Sequence, residues 1–594
     1  MPDTVNLNGK QYTTPEEKAE AFNQFFYSTF TPDDGTTPPL EALGRTTCNE
    51  TSLDNICLSC DEVAKALANL DPQKARGPDN IPTLVLKKCA VELAQSLCIL
   101  YNKSLILGRL PDEWKKSNVV PVHKKQRKDM VENYRPISLL CIVSKVLERC
   151  IFNRTMEHLS NFLSACQHGF MPGRSTVTQL LGFVHKIGSA LDNGQQSDVI
   201  YLDFAKAFDS VCHSRLIYKL HHYGIRGQIL KWYENYLSNR VQYTVLQGVT
   251  SAPLPVTSGV PQGSILGPLL FLVYINDLPE VIDSASNIKL FADDSKCHRT
   301  IVQNSDCLAL QEDIDTLFHW SKDWRLRFNV KKYEVLSVTR KQRPIINNYL
   351  LDGHPIKRAN QQRDRGVIIS HDLKWHEHIH HVLSKGYRML GFLRRNAKNF
   401  DVRAKRTLYN TLVRSHVGYA SQVWAPSMVG DIKSVENLQR RSTRFILPNS
   451  ALNYRERLLK LNLLPVSYWH EINDLVFYFK CSKGLYHFST DDYVKPKPVS
   501  RFTRNSHNMD LLVPLTKTKL FQNSYFNRLP KLWNSLPSYI RTLNNVTKFK
   551  CAVQNQYFDA LKKSFCPDNY NSWKTICPKC CSTNNISNIS KCCY

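Results

Sequence analysis

Two aspartates, Asp293 and Asp294, stand side by side in IKLFADDSKCHR, residues 288–299, where an apolar run gives way to a polar one. Burying one unpaired carboxylate is costly, and burying two like charges together costs more, so the pair calls for a cation. A third acid, Asp203, closes a second apolar run, SDVIYLDF at 197–204. If both runs are strands of one sheet, the three acids meet in one polar cleft although 90 residues separate Asp203 from Asp293. Hard oxygen ligands at that density suit Mg²⁺ or Mn²⁺ rather than zinc. Two such ions can activate an attacking hydroxyl and stabilise a leaving pyrophosphate, which makes nucleotidyl transfer the natural reaction class. Taken alone, an acidic pair after a strand is more often a solvated turn.

The elements that must hold these acids can be read from spacing. The β-branched and aromatic content of 197–204 predicts a buried strand, and NIKLFADD returns as another. Between them lie helices at SRLIYKLHHYGI and GQILKWYENYLSN, a hairpin over RVQYTVLQGVTSAPLPVTSGV, and an apolar helix at 267–278. Upstream, residues 13–30 and 60–70 predict amphipathic helices, the first capped by Thr13 or Thr14 with Pro15 in its first turn. Short helices alternating with two basic stretches, 119–129 and 132–140, are expected over 81–166. Downstream, 373–395 and 435–447 carry apolar residues at helical spacing on basic helices.

The whole chain has 594 residues, enough for several domains, and its 42% hydrophobic content marks it as globular. The formal charge of +27, from 78 Lys and Arg against 51 Asp and Glu, points to an acidic polymer as partner, nucleic acid before membrane. No apolar run is long enough to span a bilayer, and the N-terminus shows no signal-peptide pattern, so an intracellular protein is expected. The 19 cysteines are scattered, which favours reduced core thiols over a disulfide scaffold.

A family resemblance rests on a series of segments: ARGPDNIP (75–82), WKKSNVVPVHKK (114–125), NYRPISLLCIVSKVLE (133–148), QHGFMPGRST (167–176), YLDFAKAFDSV (201–211), SGVPQGSILGPLLFLVYINDL (258–278) and FADD (291–294). Further on come W…FNVKK (324–332), GV…LKWHEHI (366–379), VWAP (423–426), QRRSTRFI (439–446) and LPKLWNSLP (529–537). In this order they resemble the reverse transcriptases of non-LTR retrotransposons of the jockey and CR type. Coincidence over seven motifs before residue 295 is not credible.

The resemblance implies roles. Asp203 and Asp293 would be metal-binding carboxylates, with the carbonyl of Phe204 as a further ligand and Asp294 as the third acid. Phe208 is placed like the aromatic gate under the sugar, where a bulky ring would clash with a ribose 2′-OH; a plain core position is the alternative. Gln262 resembles the residue that touches incoming nucleotide and template, with Gly259 and Gly263 allowing close backbone approach. Lys124 and Arg135 resemble residues that grip the triphosphate, a task that suits the planar guanidinium; Lys124 is otherwise part of a solvated basic loop. Lys332 resembles the lysine that protonates departing pyrophosphate.

Two other patterns invite a metal. His376, Glu377 and His380 form H-E-x-x-H, the spacing of zinc proteases. No third ligand follows at the right distance, and the resemblance accounts for the segment as packing. In the tail, Cys577 and Cys580 have C-x-x-C spacing, and Cys592 and Cys593 could complete a Zn²⁺ set; a thiol-rich end without metal is the alternative.

The expectation is an α+β right-hand polymerase with a mainly helical C-terminal region. Its divisions would be an N-terminal linker and helix (1–58), fingers (59–196), palm (197–340), thumb (341–450) and a basic, Cys-tailed region (451–594), with the reverse transcriptase domain over about 104–372. Its partners would be RNA template, DNA primer or target, and dNTPs, with no membrane. The resemblance implies residence in the nucleus with a cytoplasmic ribonucleoprotein stage. The chain begins in what resembles the linker after an endonuclease, so self-directed target nicking is not expected. The family's D-L-G-V reads Asp364-Arg365-Gly366-Val367 here, and an arginine forced into apolar packing would cost stability. YWHE at 468–471 and KCHR after the acids also depart from the pattern. The rival from another class is a decayed or domesticated nucleic-acid-binding remnant; VWAP, QRRSTRFI and LPKLWNSLP argue against an intron maturase.

Overall fold

Residues 196–203 are buried on both faces, and the molecule is organised around that strand. The computed structural model describes residues 1–33, 35–36, 51–124, 126–329, 332–448, 451–498 and 509–563. The central sheet has five strands in the order Lys357–Ala359, Glu334–Val338, Gln196–Asp203, Asp294–Ile301 and Asn287–Phe291. Its neighbours are antiparallel except the first pair. Successive side chains of a strand point to opposite faces. Accordingly Ile200 and Leu202 join one apolar core while Val199 joins a second, so a single strand ties the two together.

The first core is built from helices Ala90–Leu107, Ile142–Leu159, His213–His222, Gly227–Leu237 and Leu266–Tyr274. The second joins helix Thr176–Asp192 to the C-terminal helices His376–Asn396, Val429–Ile446, Val466–Ser482 and Val546–Lys563. The expected α+β class is therefore observed, and the C-terminal part is mainly helical. Among the described residues no helix is long and apolar enough to cross a membrane.

Two kinds of polar stretch form strands. The polar run after the acids is itself a strand, Asp294–Ile301, with Ser295, Lys296, Cys297 and His298 all buried. Lys296 pairs with Asp364 and lies 4.1 Å from the Phe183 ring, which in turn contacts the His298 ring, whereas Ser295 Oγ and His298 Nε2 have no hydrogen-bond partner among the described residues. The basic stretches 119–129 and 132–140 also contribute strands. Lys116–His123 pairs antiparallel with Tyr134–Leu139 and parallel with Arg240–Leu246, forming a second sheet. The expected hairpin supplies that sheet's other strands, Val249–Thr250 and Leu254–Val256.

The first helix runs Pro15–Tyr27 behind a capping box of Thr14 and Glu17. It docks on the second sheet through Phe22, whose ring is 4.9 Å from that of Tyr134, and through Asn23, which donates to the carbonyl of Ala252 at 2.7 Å.

Candidate active site

Asp203 ends the central strand and Asp294 begins its neighbour, and the register sets the two directly opposite each other. Residues so paired have Cα atoms only about 4.5–5.5 Å apart. Asp293 occupies the two-residue turn before Asp294, after Ala292 at φ 54°. A residue with a Cβ is disfavoured in that left-handed region, so the turn gains from a brace outside it. Gln167 supplies the brace: its Oε1 accepts the N–H of Ala292 at 2.9 Å and that of Gly169 at 2.8 Å. A side chain on Gly169 would stand 2.4 Å from the Ala292 nitrogen, so only glycine permits this approach. Arg174 pins the same segment by donating to the carbonyls of Ser164, Ala165 and Gln167. The QHGFMPGRST motif thus acts as the splint of the acidic turn.

The acids line one side of a cleft of about 660 Å³. Lys124, Arg135, Asp203, Phe204, Phe208, Gln262, Asp293 and Lys332 all border it. Asp294 does not, because its carboxylate turns to the guanidinium of Arg365. Lys332 pairs likewise with Asp203. Asp293 makes no ion pair among the described residues, and burial together with the charge of Asp203 pushes its carboxyl upward. Burial also raises Asp294, against the pull of Arg365 and with the push of Asp293 and Asp203, to about 6.

Phe204 is buried, its ring stacked on Phe328 at 4.5 Å. The backbone N–H of Ala205 donates to the carbonyl of Arg327 and that of Asn329 to the carbonyl of Asp203, which brings the Lys332 segment alongside the acid. Phe208 stacks on Phe271 at 4.6 Å, its ring half-buried at the cleft wall. Gln262 is held on both sides: its carbonyl accepts the N–H of Ser138 at 2.8 Å, and its Nε2 donates to Asp209 Oδ1 at 2.8 Å. Gly263 runs at φ 135° with the Ser138 carbonyl where a side chain would be, and Gly259, at φ 85°, approaches the backbone of Phe208 and Asp209 equally closely. Lys124 directly follows the strand Lys116–His123 and Arg135 lies in its partner Tyr134–Leu139, and both are exposed at the cleft's edge.

Asp209 and Arg365 were missed as site residues. Asp209 lies within AFDS, yet its task shows only through contact with Gln262, 53 positions away. Burial pushes it up to about 6, and its Oδ2 has no hydrogen-bond partner among the described residues. Arg365 was expected as a packing fault. It avoids the apolar interior by occupying a turn at φ 48°, from which it reaches Asp294, the carbonyl of Phe291 at 3.0 Å and the face of the Phe291 ring.

Among the described residues no three carboxylate, imidazole or thiol groups are gathered into a ready metal cage. Two of the three acids are already paired with cations, Asp203 with Lys332 and Asp294 with Arg365. The donors still fit a hard cation: Asp203 and Asp293 border the cleft, and Asp293 lies against the charge of Asp203. His376 of the H-E-x-x-H pattern bonds Asp431 at 3.0 Å. The tail cysteines Cys577, Cys580, Cys592 and Cys593 lie outside the described residues.

Residues 122–393 match the family of reverse transcriptases (RNA-dependent DNA polymerases). The chain carries a reverse transcriptase domain. Three relatives extend the likeness beyond this domain. A probable RNA-directed DNA polymerase from transposon BS of Drosophila melanogaster is 29% identical over 410 residues, 65% of this chain and 44% of the relative. The RNA-directed DNA polymerase from mobile element jockey of the same fly is 26% identical over 66% of this chain and 44% of its own. The jockey protein of Drosophila funebris is 26% identical over 74% of this chain and 50% of its own. The chain thus spans no more than half the length of these relatives. The domain contains both sheets' acidic and basic contributions to the cleft, from Lys124 to Arg365.

Proposed function

We propose that the chain is an RNA-directed DNA polymerase of a mobile element, adding dNTPs to a primer 3′-OH on an RNA template. The observation that carries this reading is the single cleft in which Asp203, Asp293, Lys124, Arg135, Phe208, Gln262 and Lys332 meet. In this reading four strands of the central sheet form the palm within 197–340, the fifth, Lys357–Ala359, is lent by the thumb segment, and the fingers span 59–196. The strands Arg240–Leu246 and Leu254–Val256 are lent to the fingers sheet from the palm segment. Residues 341–450 are the thumb, 451–594 the basic C-terminal region, and 1–58 the linker and first helix.

Asp203, Asp293 and the carbonyl of Phe204 would hold Mg²⁺ or Mn²⁺, whose charge activates the primer hydroxyl and stabilises the departing pyrophosphate. Arg135 and Lys124 stand where the triphosphate would enter and neutralise its oxygens, Arg135 through its two-pronged guanidinium. Phe208, fixed by its stacking on Phe271, sets the floor for the sugar. Gln262, fixed by Asp209 and Ser138, positions the base pair. Lys332 leaves Asp203 and donates a proton to pyrophosphate. The net charge of +27 suits a template–primer duplex held through its backbone. A nuclear site of action with a cytoplasmic ribonucleoprotein stage follows from the same reading.

The test is primer extension on an RNA template with Mg²⁺, comparing the native chain with Asp293→Ala. Extension by the native chain and its loss in the variant is the expected result. Absence of extension in both, with RNA binding retained, would favour a non-catalytic nucleic-acid-binding remnant.

A further inference from the structure

Two reciprocal ion pairs tie the acidic hairpin to the strands Gln361–Asp364 and Val367–Ser370: Lys296 reaches Asp364, and Arg365 reaches back to Asp294. The turn between those strands is Arg365-Gly366, with φ of 48° and 89°, a shape that aims the arginine at the acids. Lys332 and Arg365 thus set two cations against three carboxylates, but they are held very differently. The Lys332 side chain is 41% exposed and leans on Asp203 from the cleft mouth. The Arg365 side chain is 20% exposed and has three fixed contacts: Asp294, the Phe291 carbonyl at 3.0 Å, and the Phe291 ring at 4.4 Å. A long, partly solvated ammonium can depart toward an arriving phosphate; a guanidinium fixed on three sides stays where it is.

We propose that Arg365 is the permanent counter-ion of Asp294, so that Asp294 is a positioning residue and divalent cations at this site rest on Asp203 and Asp293. This rests on the polymerase reading and deepens it. Arg365 holds the first residue of the strand against its turn, which sets the direction of Asp293. It also removes one negative charge from the site, so cation affinity is lower than three free carboxylates would give. The arginine that breaks the family pattern is a device that trims the acid set to two.

The probe is Mn²⁺, titrated into the full chain bound to an RNA template–DNA primer and read by electron paramagnetic resonance, with no turnover needed. Asp294→Asn leaves the Arg365 charge uncompensated and is expected to weaken Mn²⁺ only about threefold, while Asp293→Asn, which removes a ligand, weakens it about tenfold or more. Arg365→Leu frees the Asp294 carboxylate and tightens Mn²⁺ by about threefold or more, and the double variant with Asp294→Asn returns to the native value. Arg365→Lys, which keeps the charge, stays near native. If Arg365→Leu melts early, Arg365→Gln, which retains a donor for the Phe291 carbonyl, carries the same expectation. Loss on Asp294→Asn equal to that on Asp293→Asn, or unchanged affinity on removing the Arg365 charge, overturns the proposal. A native chain that binds duplex but no Mn²⁺ overturns the polymerase reading itself.

Discussion

Asp203 and Asp294 oppose each other across neighbouring antiparallel strands, one at the end of a strand and the other at the start of the next in space. Each has a cationic partner, Lys332 and Arg365 respectively. This arrangement makes unequal predictions for the two cations. Lys332→Ala removes the more exposed partner and opens the 17%-exposed Asp203 side chain to water from the cleft, so the fold should be little changed. The melting temperature should stay within a few degrees of native, while single-turnover extension slows by about 100-fold, the scale of a lost general acid. A rapid-quench time course with saturating dNTP measures it; native-rate chemistry would remove Lys332 from the mechanism.

Phe208 offers a test of sugar selection. Its ring is braced by Phe271 at 4.6 Å and by the edge of Phe170 at 6.0 Å, so it cannot easily swing aside for a 2′-OH. Phe208→Ala should raise kcat/KM for ribonucleotides relative to deoxynucleotides by about tenfold or more, since one steric contact in a packed pocket carries that much discrimination. Parallel extension assays with each nucleotide type check it. An unchanged ratio would assign Phe208 to the core alone.

Asp209 gives a pH dependence of known sign. Its carboxyl is raised from 3.8 to about 6, chiefly by burial. Between those values the folded state binds more protons than the unfolded chain, so its contribution is full below about 4 and is lost as pH rises through about 6. Asp209→Asn removes that loss and leaves an amide oxygen for Gln262. At pH 7.5 it should therefore melt a few degrees higher than the native chain, by up to about 3 kcal/mol at 1.36 kcal/mol per pH unit. At pH 4 the two should melt alike. Denaturant or thermal melts at both pH values decide it.

What could be read in advance follows from where the information lies. The strand at 197–204 is legible because its core-facing side chains Val199, Ile200 and Leu202 are apolar, and the helices are legible from their spacing. The acids stand out because a carboxylate that closes an apolar run must meet either solvent or a cation. The strand Asp294–Ile301 is hidden because several of its buried side chains are polar, and the partner that lets Lys296 be buried, Asp364, lies far along the chain. Arg365 misleads for a related reason. Its residue type suggests a packing fault, whereas the left-handed turn, which spacing does not reveal, carries the side chain away from the apolar interior. The brace from Gln167 to Ala292 is equally invisible, being a contact to backbone across 125 positions.

Lys219 and Asp277 form a fully buried pair at 2.5 Å, with the ammonium 3.4 Å from the centre of the Trp324 ring and also bonded to the carbonyl of Tyr274. Burial lowers the lysine to about 8, with Asp277 pulling the other way. The pair joins helix His213–His222 to the end of helix Leu266–Tyr274, which follows the loop that carries Gln262. Removing one partner strands a buried charge, so Lys219→Met should cost about 3–5 kcal/mol. Replacing both, Lys219→Met with Asp277→Asn, removes the stranded charge and should recover most of that loss. Urea unfolding of the two single variants and the double variant closes the cycle. Additive losses would mean that the pair is not an energetic unit and that the helix junction is held by the aromatic cage of Tyr274, Trp320 and Trp324 alone.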